Sequence, residues 1–365
     1  MTNMPSTPLP EAAGDTRLTR LLASLGLRID SQLDINEDFL TLRCRAEDGE
    51  LRVLKYCRSN SPDALRRLRN EALLTHGLPV RPPLRLLRHR DHGEGYMVTV
   101  FETGAPLGPQ DLGDAELMPR IADALAVLQS LGDAVAALDL RGRESRRRFL
   151  RKVLLKHLLH LWPRHLGLRD AWRAWSLLRA GLDDIDAASV PCHADLLPTN
   201  LLRGSDGDNV VLIDLEGFIL AHHPLYDVLS FLTIDARALD DWDWQREFLA
   251  RWLTQAPAST LLVPHSLSFA RAYRALLTFL LVYRYNEARL NAQRHLYFDG
   301  GSKARFVALK VLQLVSGVGL LARRAPIDAA LAIRRDNLRH ALDRDSFTRH
   351  LARMLNPCMV AEPGA

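Results

Sequence analysis

Three oxygen-bearing side chains in the middle of the chain have the types and the spacing that phosphoryl transfer needs. Two lie in the segment His193-Ala194-Asp195-Leu196-Leu197-Pro198-Thr199-Asn200, and the third ends the hydrophobic run Val210-Val211-Leu212-Ile213-Asp214. A carboxylate beside an acceptor hydroxyl can orient that hydroxyl and take its proton. A hard cation that bridges phosphates needs oxygen ligands, which an Asn carbonyl and an Asp carboxylate supply. The pattern therefore predicts a site that transfers a phosphoryl group with the help of a divalent cation.

The elements around these residues must bring them together. Residues 200–203 and 209–214 are predicted to be two short strands, and Gly204-Ser205-Asp206-Gly207 is predicted to be the turn between them. Because a hairpin returns the chain to its starting point, Asp214 is expected beside Asp195 and Asn200. One short stretch of sequence thus accounts for all three side chains.

The spacing His-x-Asp-x-x-x-x-Asn, followed by a strand that ends in Asp, resembles the catalytic and metal-binding loops of kinase-like enzymes. The second motif is Ile213-Asp214-Leu215-Glu216 rather than Asp-Phe-Gly, and Pro224-Leu225-Tyr226-Asp227 follows it. In both respects the chain resembles the aminoglycoside phosphotransferase and choline kinase branch of the kinase-like superfamily.

That resemblance implies a role for each motif residue. Asp195 is expected to be the catalytic base, and Asn200 and Asp214 are expected to ligate the Mg²⁺ that accompanies ATP. His193 is expected to brace the backbone of the loop, and Asp227 to be a buried structural carboxylate at the start of a helix. ATP and Mg²⁺ are the cofactors that follow from these roles.

Lys55 is the only lysine among the first 151 residues of a chain that otherwise uses arginine, and it lies in an apolar run. Val53 and Lys55 face the same side of their predicted strand, because side chains alternate with a period of two. Kinase-like enzymes bind the nucleotide phosphates with a strand lysine that a helix glutamate holds. Val53, Lys55 and Glu71 are therefore predicted to bind the nucleotide. The alternative is a surface Lys55 whose stem lies along apolar residues, with a solvated Glu71.

Two further parts of the nucleotide site follow from the order of the elements alone. The backbone from Phe101 to Thr103 follows the last strand of the small lobe and is expected to bind the edge of the adenine. Residues 34–38 lie where the loop that covers the phosphates is expected, yet this segment contains no glycine. A glycine-rich cradle for the phosphates is therefore not expected.

The order of elements predicts an α+β fold, specifically the two-lobed protein-kinase-like fold. Residues 16–104 are predicted to form a β-rich nucleotide-binding lobe, and residues 105–355 a mostly helical lobe with the catalytic loop and the metal and acceptor sites. Residues 1–15 and 356–365 are predicted to be disordered tails. The predicted elements of the small lobe are a helix at 16–25, strands at 39–45 and 51–56, a helix that begins at Ser61-Pro62, and strands at 83–90 and 96–102. The later predicted helices span 226–234, 241–253, 266–292, 302–321 and 327–355.

The acceptor is predicted to be a hydroxyl of a small molecule or glycan. Only a short stretch separates Asp214 from the predicted helix at Tyr226, which leaves no room for the long segment with which protein kinases dock a peptide. Three alternatives stay open: a kinase for lipopolysaccharide-core or other envelope sugars, a pseudokinase scaffold that binds nucleotide without turnover, and a peripheral membrane-binding module. GTP also stays open as the donor.

A basic segment at residues 141–169 has no assigned role in this scheme. It contains ten arginines and lysines against the single acid Glu144, with leucines and aromatic residues between them. As a helix it would be basic on one side and apolar on the other. Three interpretations remain: a solvated helix face, a surface for an anionic acceptor such as a lipid-linked glycan, and a contact with an anionic membrane. Nucleic acid is not expected as a partner, because no nucleic-acid module is recognisable.

The composition restricts the class of protein without naming it. Hydrophobic residues make up 47% and charged residues 25%, which excludes a largely disordered chain. The net charge of +5 favours an anionic partner. The four cysteines show no paired spacing, and no signal peptide or membrane span is expected. We therefore predict a cytoplasmic protein. Peripheral contact with the inner face of the membrane stays open. His222-His223 is predicted to be a surface turn before Pro224 rather than a metal site.

Overall fold

A computed structural model describes the chain at residues 15–108, 111, 114–140, 150–151, 154–155, 167–186, 189–204, 207–233, 243–255, 262–297 and 325–355. These residues divide into two compact units. The first comprises Met1–Gly108, Leu131–Arg143 and Pro198–Leu220, and the second comprises Pro109–Ser130, Glu144–Leu197 and Ala221–Ala365. Residues 1–14 of the predicted N-terminal tail, the predicted C-terminal tail, the predicted helix at 302–321 and most of the basic segment lie outside the described residues.

The first unit is rich in β-structure. Its helices are α1 (Thr16–Ser24), α2 (Pro62–Gly77) and α4 (Gly132–Ala137). Helix α3 (Leu117–Ser130) precedes α4 along the chain and belongs to the second unit. Its strands are β1 (Leu27–Ile35), β2 (Phe39–Ala46), β3 (Leu51–Cys57), β4 (Leu84–Leu86), β5 (His89–Gly93), β6 (Tyr96–Val100), β8 (Leu201–Arg203) and β9 (Val210–Leu212). Strand β7 (Val190–Cys192) belongs to the second unit, and β10 (Ile219–His222) lies where the chain passes from one unit to the other.

Five of these strands form one antiparallel sheet in the order β1-β2-β3-β6-β5. Leu18 of α1 packs on one face, against Leu42, Leu54 and neighbouring residues. Residues of α2, among them Leu68 and Ala72, pack on the other face, against Phe39, Cys57 and Met97. The alternation along β3 therefore directs Leu54 toward α1, and Lys55 toward α2.

Strand β1 is absent from the predicted order of elements. Most of its residues are exposed, because it lies at the edge of the sheet and only one face packs. Its sequence, Leu-Arg-Ile-Asp-Ser-Gln-Leu-Asp-Ile, is accordingly polar for a strand. The loop between β1 and β2 consists of residues 36–38, which agrees with the predicted position of the phosphate-covering loop.

The prediction of one strand at residues 83–90 is wrong. The structure has two strands there, β4 and β5, which belong to different sheets. Strand β4 pairs in parallel with β9, which in turn pairs antiparallel with β8. Because β4 and β9 are distant in sequence, local alternation carries no information about this pairing.

Helix α2 begins where its capping residues predict. The Ser61 hydroxyl accepts a hydrogen bond from the Ala64 N–H at 3.1 Å, and Pro62 occupies the first turn. Ser at the cap and Pro at the first helical position are both favoured, because the first N–H groups of a helix have no partner inside it. This start sets the rotation of α2, and thereby the direction of its inner side chains.

The second unit is mostly helical. Besides α3 it contains α5 (Leu168–Asp186), α6 (Leu225–Leu232), α7 (Asp243–Gln255), α8 (Leu267–Tyr297), α9 (Ala325–Leu342) and α10 (Arg344–Leu355). Helix α8 packs against α5, α6 and α9, and α3 packs against α7. The predicted α+β class is therefore confirmed, with a β-rich first unit and a helical second unit.

The prediction of one helix at residues 327–355 is also wrong, because the chain breaks between α9 and α10. The Asp343 carboxylate accepts hydrogen bonds from the N–H and the hydroxyl of Ser346, at 3.2 and 2.5 Å. An Asp in this position caps a new helix rather than continuing the old one. Among the described residues, no helix combines the length and the apolar composition needed to span a bilayer.

Candidate active site

Lys55 is the centre of a group of charged side chains in the first unit. Strand β3 directs it toward α2, where its Nζ lies 2.8 Å from Glu71 Oε2. The same Nζ lies 2.7 Å from Asp214 Oδ1 and 3.2 Å from Glu216 Oε2. Lys55 is only 8% exposed, so it is not the surface lysine of the alternative interpretation.

Glu71 holds both Lys55 and the backbone that follows β9. Helix α2 buries this side chain to 4% exposure. One carboxylate oxygen binds the Lys55 ammonium, and the other accepts a hydrogen bond from the Leu215 N–H at 3.2 Å. Since both oxygens have partners, Glu71 fixes the distance between β3 and the segment that carries Asp214. A solvated Glu71, the other half of the alternative, is therefore contradicted.

Asp214 reaches Lys55 through the hairpin of β8 and β9. At the base of this hairpin the Ile213 N–H donates to the Asn200 carbonyl at 3.1 Å, so Asn200 and Asp214 leave the hairpin side by side. Asp214 has φ +60° and ψ +57°, in the left-handed region that costs a non-glycine residue roughly 1–2 kcal/mol. Asp214 therefore combines a strained backbone with an ion pair to Lys55. Backbone strain of this kind is concentrated at functional sites.

Glu216 belongs to the same group of charges, although the sequence analysis assigned it no role. It lies on the short 3-10 turn Leu215–Gly217 and contacts Lys55. Its Oε1 also lies 3.2 Å from Nη1 of Arg67, whose other terminal nitrogen binds the Asp38 carboxylate. Burial raises the pKa of Glu216, and Asp214 raises it further, whereas Lys55 and Arg67 lower it. In the sequence, the one signal for Glu216 is that it ends the motif Ile213-Asp214-Leu215-Glu216, two residues after Asp214.

The carboxylates around Lys55 stabilise its charged form. Burial by itself would lower the pKa of Lys55, but Glu71, Asp214 and Glu216 outweigh burial and raise the pKa well above its ordinary value. The ring of Phe39 lies beside this charge, with its centroid 5.0 Å from Lys55 Nζ and 5.1 Å from Arg67 Cζ. Lys55 is therefore a permanent cation in a half-enclosed environment.

A cavity of about 640 Å³ opens beside this group, entirely within the first unit. Its volume falls in the range of roughly 300–1,000 Å³ that is usual for small-molecule sites. Val53, Met97 and Phe101 are among its apolar lining residues, and Lys55, Asn200 and Asp214 are among the polar ones. A cavity lined by both apolar and charged side chains suits a ligand with an aromatic base and a phosphate tail.

The predicted hinge lies only partly at this cavity. Phe101 and Glu102 line it, as does Gly104, whereas Thr103 is exposed and is not among the lining residues. The Phe101 N–H donates to the Leu51 carbonyl at 2.9 Å, so it is already engaged. A Cβ at Gly104 would lie 2.3 Å from the Arg203 carbonyl oxygen, so only glycine allows the chain to pass β8 this closely.

The oxygen atoms around Lys55 fit a hard divalent cation. Carboxylate oxygens of Glu71, Asp214 and Glu216 lie within 4.8 Å of one another. They oppose two nearby cations, Lys55 and Arg67, so the group keeps an excess of negative charge. Oxygen-only donors with excess negative charge suit Mg²⁺. Asn200, the other predicted ligand, is 9% exposed and lines the same cavity.

Asp195 lies in the second unit, on the loop that follows β7, and is half-buried. The buried carboxylate of Asp227, in the first turn of α6, accepts hydrogen bonds from the N–H groups of His193 and Ala194 at 2.6 and 3.0 Å. Ala194 has φ +67°, a second left-handed residue immediately before the predicted base. Burial raises the pKa of Asp227, and His193 and the two N–H donors oppose that rise. Asp227 thus shapes the loop that presents Asp195.

The prediction of a surface turn at His222-His223 is wrong. These residues are 0% and 2% exposed. The His222 Nδ1 accepts from the His223 N–H at 2.8 Å, and the His223 Nδ1 accepts from the Leu225 N–H at 3.1 Å. The two imidazoles therefore satisfy backbone donors at the start of α6, and for this reason two polar side chains can be buried there.

Solved structures with the same fold define the class of this protein. A choline/ethanolamine kinase family protein from Mesorhizobium loti is 16% identical over 94% of this chain and 96% of that chain, with a TM-score of 0.55. A macrolide 2'-phosphotransferase type I is 18% identical over 87% of this chain and 100% of that chain, with a TM-score of 0.54. The ADP-bound aminoglycoside phosphotransferase APH(2'')-Ib is 12% identical over 88% and 97%, with a TM-score of 0.53. The fold is kinase-like, as predicted.

The family follows from a second comparison. The model of the phosphotransferase enzyme family, APH, matches residues 31–270, which is more than half of the chain. The chain therefore belongs to the phosphotransferase enzyme family and is a kinase-like phosphotransferase with a hydroxyl group as acceptor. No curated protein sequence matches the chain.

Proposed function

We propose that this protein transfers the γ-phosphoryl group of ATP, in the presence of Mg²⁺, to a hydroxyl of a small molecule or glycan. The observation that carries the proposal is the contact of Lys55 with both Glu71 and Asp214, at 2.8 and 2.7 Å, in the lining of a cavity of about 640 Å³. A lysine held in this way can bind phosphates, and a carboxylate beside it can bind the metal that accompanies them.

The roles of the individual residues follow from this arrangement. Lys55 would bind the α- and β-phosphates, and Glu71 would hold Lys55 in place. Asn200 and Asp214 would ligate Mg²⁺, with Glu216 as a further carboxylate within reach of the same ion. The bound ion would neutralise charge on the phosphates during transfer. Phe39 would limit the space around the lysine, since its ring lies 5.0 Å from Nζ.

The apolar part of the cavity would receive the base of the nucleotide. Val53 would lie against the ring, and the backbone of Phe101 and Glu102 would bind its edge. Because the Phe101 N–H is engaged with Leu51, the carbonyl of Phe101 and the peptide group of Glu102 are the more suitable partners. Both ATP and GTP are included as donors in the test.

Asp195 would act as the catalytic base. Its carboxylate would orient the acceptor hydroxyl and take its proton as the phosphoryl group is transferred, a role worth roughly 10²- to 10⁴-fold in rate. Asp227 would act through the backbone, since it holds the N–H groups of His193 and Ala194 and with them the turn before Asp195.

A small acceptor agrees with the length of chain between Asp214 and α6, which is too short to dock a peptide. The proteins of similar fold are described as kinases of choline or ethanolamine and as phosphotransferases of macrolides or aminoglycosides. The arginines and lysines of residues 141–169 favour a second candidate, an anionic acceptor such as a phosphorylated envelope sugar reached from the inner face of the membrane. The cysteines at positions 44, 57 and 192 are buried and form no disulfide among the described residues, which agrees with a reducing, cytoplasmic location.

The test is a screen of acceptor pools for phosphate transfer from labelled ATP or GTP. Pools of amino alcohols, aminoglycosides, macrolides and phosphorylated sugars would be compared with and without Mg²⁺. We expect transfer to one class of acceptor, lost when EDTA is added and restored by Mg²⁺. Nucleotide binding without transfer to any pool would instead support a pseudokinase scaffold, and no binding of nucleotide would contradict the proposal altogether.

A further inference from the structure

A second cluster of metal-ligating side chains lies on the first unit, apart from the cavity that contains Lys55. It comprises three histidines: His76 near the end of α2, and His89 and His92 on β5. The ring centroids are 4.9 Å apart for His76 and His89 and 5.0 Å apart for His89 and His92. None of the three lines the cavity, so they belong to a different part of the surface.

Strand β5 presents two of these histidines on the same side because its pairing with β6 is irregular. In a regular strand, residues three apart face opposite sides. The register shifts between His89 and Asp91, where Arg90 is an extra residue relative to β6. A bulge of this kind reverses the alternation beyond it and re-aims the following side chains. Arg90 itself is paired with Glu50, at 2.5 Å.

The two histidines of β5 lie close enough to bind one ion together. His92 Nδ1 and His89 Nε2 are 3.0 Å apart and share a hydrogen bond, which a metal ion would replace. Two imidazole nitrogens bound to one tetrahedral Zn²⁺, each at about 2.0–2.1 Å, are separated by roughly 3.3 Å. A small rotation of each ring would therefore point both lone pairs at one ion. His76 and His92 are exposed and His89 is half-buried, so an ion in solution can reach them.

Hydrogen bonds and ion pairs order the side chains around the three histidines. Asp91 is held in place, because its carboxylate accepts from the His92 N–H at 2.8 Å and from the Tyr96 hydroxyl at 3.2 Å. The neighbouring cations Arg88 and Arg90 both pair with Glu50, which offsets their charge.

We propose that His76, His89 and His92 form a binding site for a divalent transition-metal ion of the zinc class, distinct from the Mg²⁺ site. Imidazole nitrogens select Zn²⁺, Cu²⁺ or Ni²⁺, whereas Mg²⁺ prefers oxygen ligands. His76 is exposed and completes the site by a rotation of its side chain toward the His89–His92 pair. The bound ion ties the end of α2 to β5, and α2 is the helix that also carries Glu71.

The test is a titration of the full-length protein with Zn²⁺, in competition with a chromophoric chelator and with excess Mg²⁺ present to saturate the carboxylate cluster. The variants are His76→Gln, His89→Gln and His92→Gln, and the matched control is His265→Gln, another exposed histidine, located in the second unit. We expect wild type and control to bind about one equivalent of zinc more tightly than each of the three variants, by at least about tenfold in Kd. Zinc should also raise the unfolding temperature of wild type more than that of His92→Gln.

Equal zinc affinity in wild type, His89→Gln and His92→Gln would overturn the proposal. An unchanged affinity in His76→Gln alone would overturn the three-histidine site, since only that residue connects α2 to β5. Titration with Co²⁺ gives an independent readout, because loss of an imidazole ligand changes its visible absorption. The test requires neither nucleotide nor acceptor, so its outcome does not depend on the proposed phosphotransferase function.

Discussion

Lys55 and the carboxylates around it form an unequal set of charges. Glu71, Asp214 and Glu216 all lie within 3.2 Å of the one ammonium group, and Arg67 contacts only the last of them. When Mg²⁺ and a nucleotide bind, the carboxylates would contact Mg²⁺, and Lys55 would contact the phosphates. Lys55 would then leave Asp214 and Glu216 but keep its contact with Glu71. Each residue of the set is therefore expected to change nucleotide binding or turnover in its own way.

Asp195→Asn should abolish nearly all transfer while nucleotide binding persists, because the proposed base acts on the acceptor and not on the nucleotide. The expected loss in kcat is roughly 10²- to 10⁴-fold. Initial rates and ATP titration calorimetry would measure the two effects, with Asp208→Asn, in the exposed turn of the β8–β9 hairpin, as the control. Turnover above about a tenth of the wild-type rate would show that Asp195 is not the base.

Asp214→Ala should weaken binding of the magnesium–nucleotide complex, because a carboxylate ligand of the metal is lost. Calorimetric titration with ATP, with and without Mg²⁺, would measure the metal-dependent part of the affinity. Asp208→Ala in the same hairpin should behave as wild type. If Mg²⁺ strengthened ATP binding to Asp214→Ala as much as to wild type, the assignment of Asp214 as a ligand would be wrong.

Lys55→Met should raise the KM for ATP and lower kcat, because the charge that binds the phosphates is lost. Lys55→Arg should be nearly as harmful, since a planar guanidinium does not fit where Phe39, Glu71 and Asp214 enclose a compact ammonium. Steady-state kinetics on both variants would check this. Full activity of Lys55→Arg would show that any cation suffices and that the enclosed geometry has no importance.

At the scale of elements, α2 connects the loop between β1 and β2 to the proposed metal site. Asn36 rigidifies this glycine-free loop, since its side-chain oxygen accepts from the N–H groups of Asp38 and Phe39 at 2.9 and 2.8 Å. Arg67 of α2 then joins Asp38 to Glu216. Side-chain contacts thus hold this glycine-free loop in place.

Arg67→Gln should loosen this loop and raise the KM for ATP by roughly three- to tenfold, because a half-buried pair of charged contacts is worth on the order of 1 kcal/mol. Arg66→Gln is the matched control: Arg66 is on the same helix and pairs with Asp63. Steady-state kinetics at several ATP concentrations would separate the two variants. An equal effect of both substitutions would indicate general destabilisation of α2 rather than loss of the connection to Asp38 and Glu216.

At the scale of the whole molecule, the net charge of +5 is unevenly distributed, with a concentration of arginine and lysine at residues 141–169. Of this segment the structure describes residues 150–151, 154–155 and 167–169. Leu150 and Leu154 are buried, whereas Arg151 and Leu155 are exposed. Burial at two positions four residues apart agrees with a helix that turns one face inward.

Replacing Arg146, Arg147 and Arg148 together by Glu should raise the KM for an anionic acceptor and leave the KM for ATP unchanged. Other residues form the nucleotide site, so an electrostatic effect on the acceptor should affect one substrate only. The effect should weaken as salt is raised, because exposed charges are screened beyond roughly 10 Å at 0.1 M. Kinetics at two salt concentrations and sedimentation with anionic vesicles would measure it. Unchanged kinetics together with unchanged sedimentation would leave only the solvated face, whereas loss of sedimentation alone would indicate a membrane contact.

The sequence by itself determined the parts of this protein that depend on local pattern. The capped start of α2 at Ser61, the strand that carries Lys55, and the hairpin before Asp214 all follow from alternation, turn residues and capping, which act over a few residues. Two features were sufficient to indicate the phosphotransferase family and the proposed site: the spacing of Asp195, Asn200 and Asp214, and the single lysine among the first 151 residues.

Only the tertiary structure decided features that depend on contacts between distant segments. Three features require residues far apart in sequence to meet. They are the parallel pairing of β4 with β9, the burial of His222 and His223, and the position of Glu216 beside Lys55 and Arg67. Local pattern cannot encode such features, because the free energy that selects them comes from burial and charge pairing in the folded chain and not from the conformational preferences of short segments.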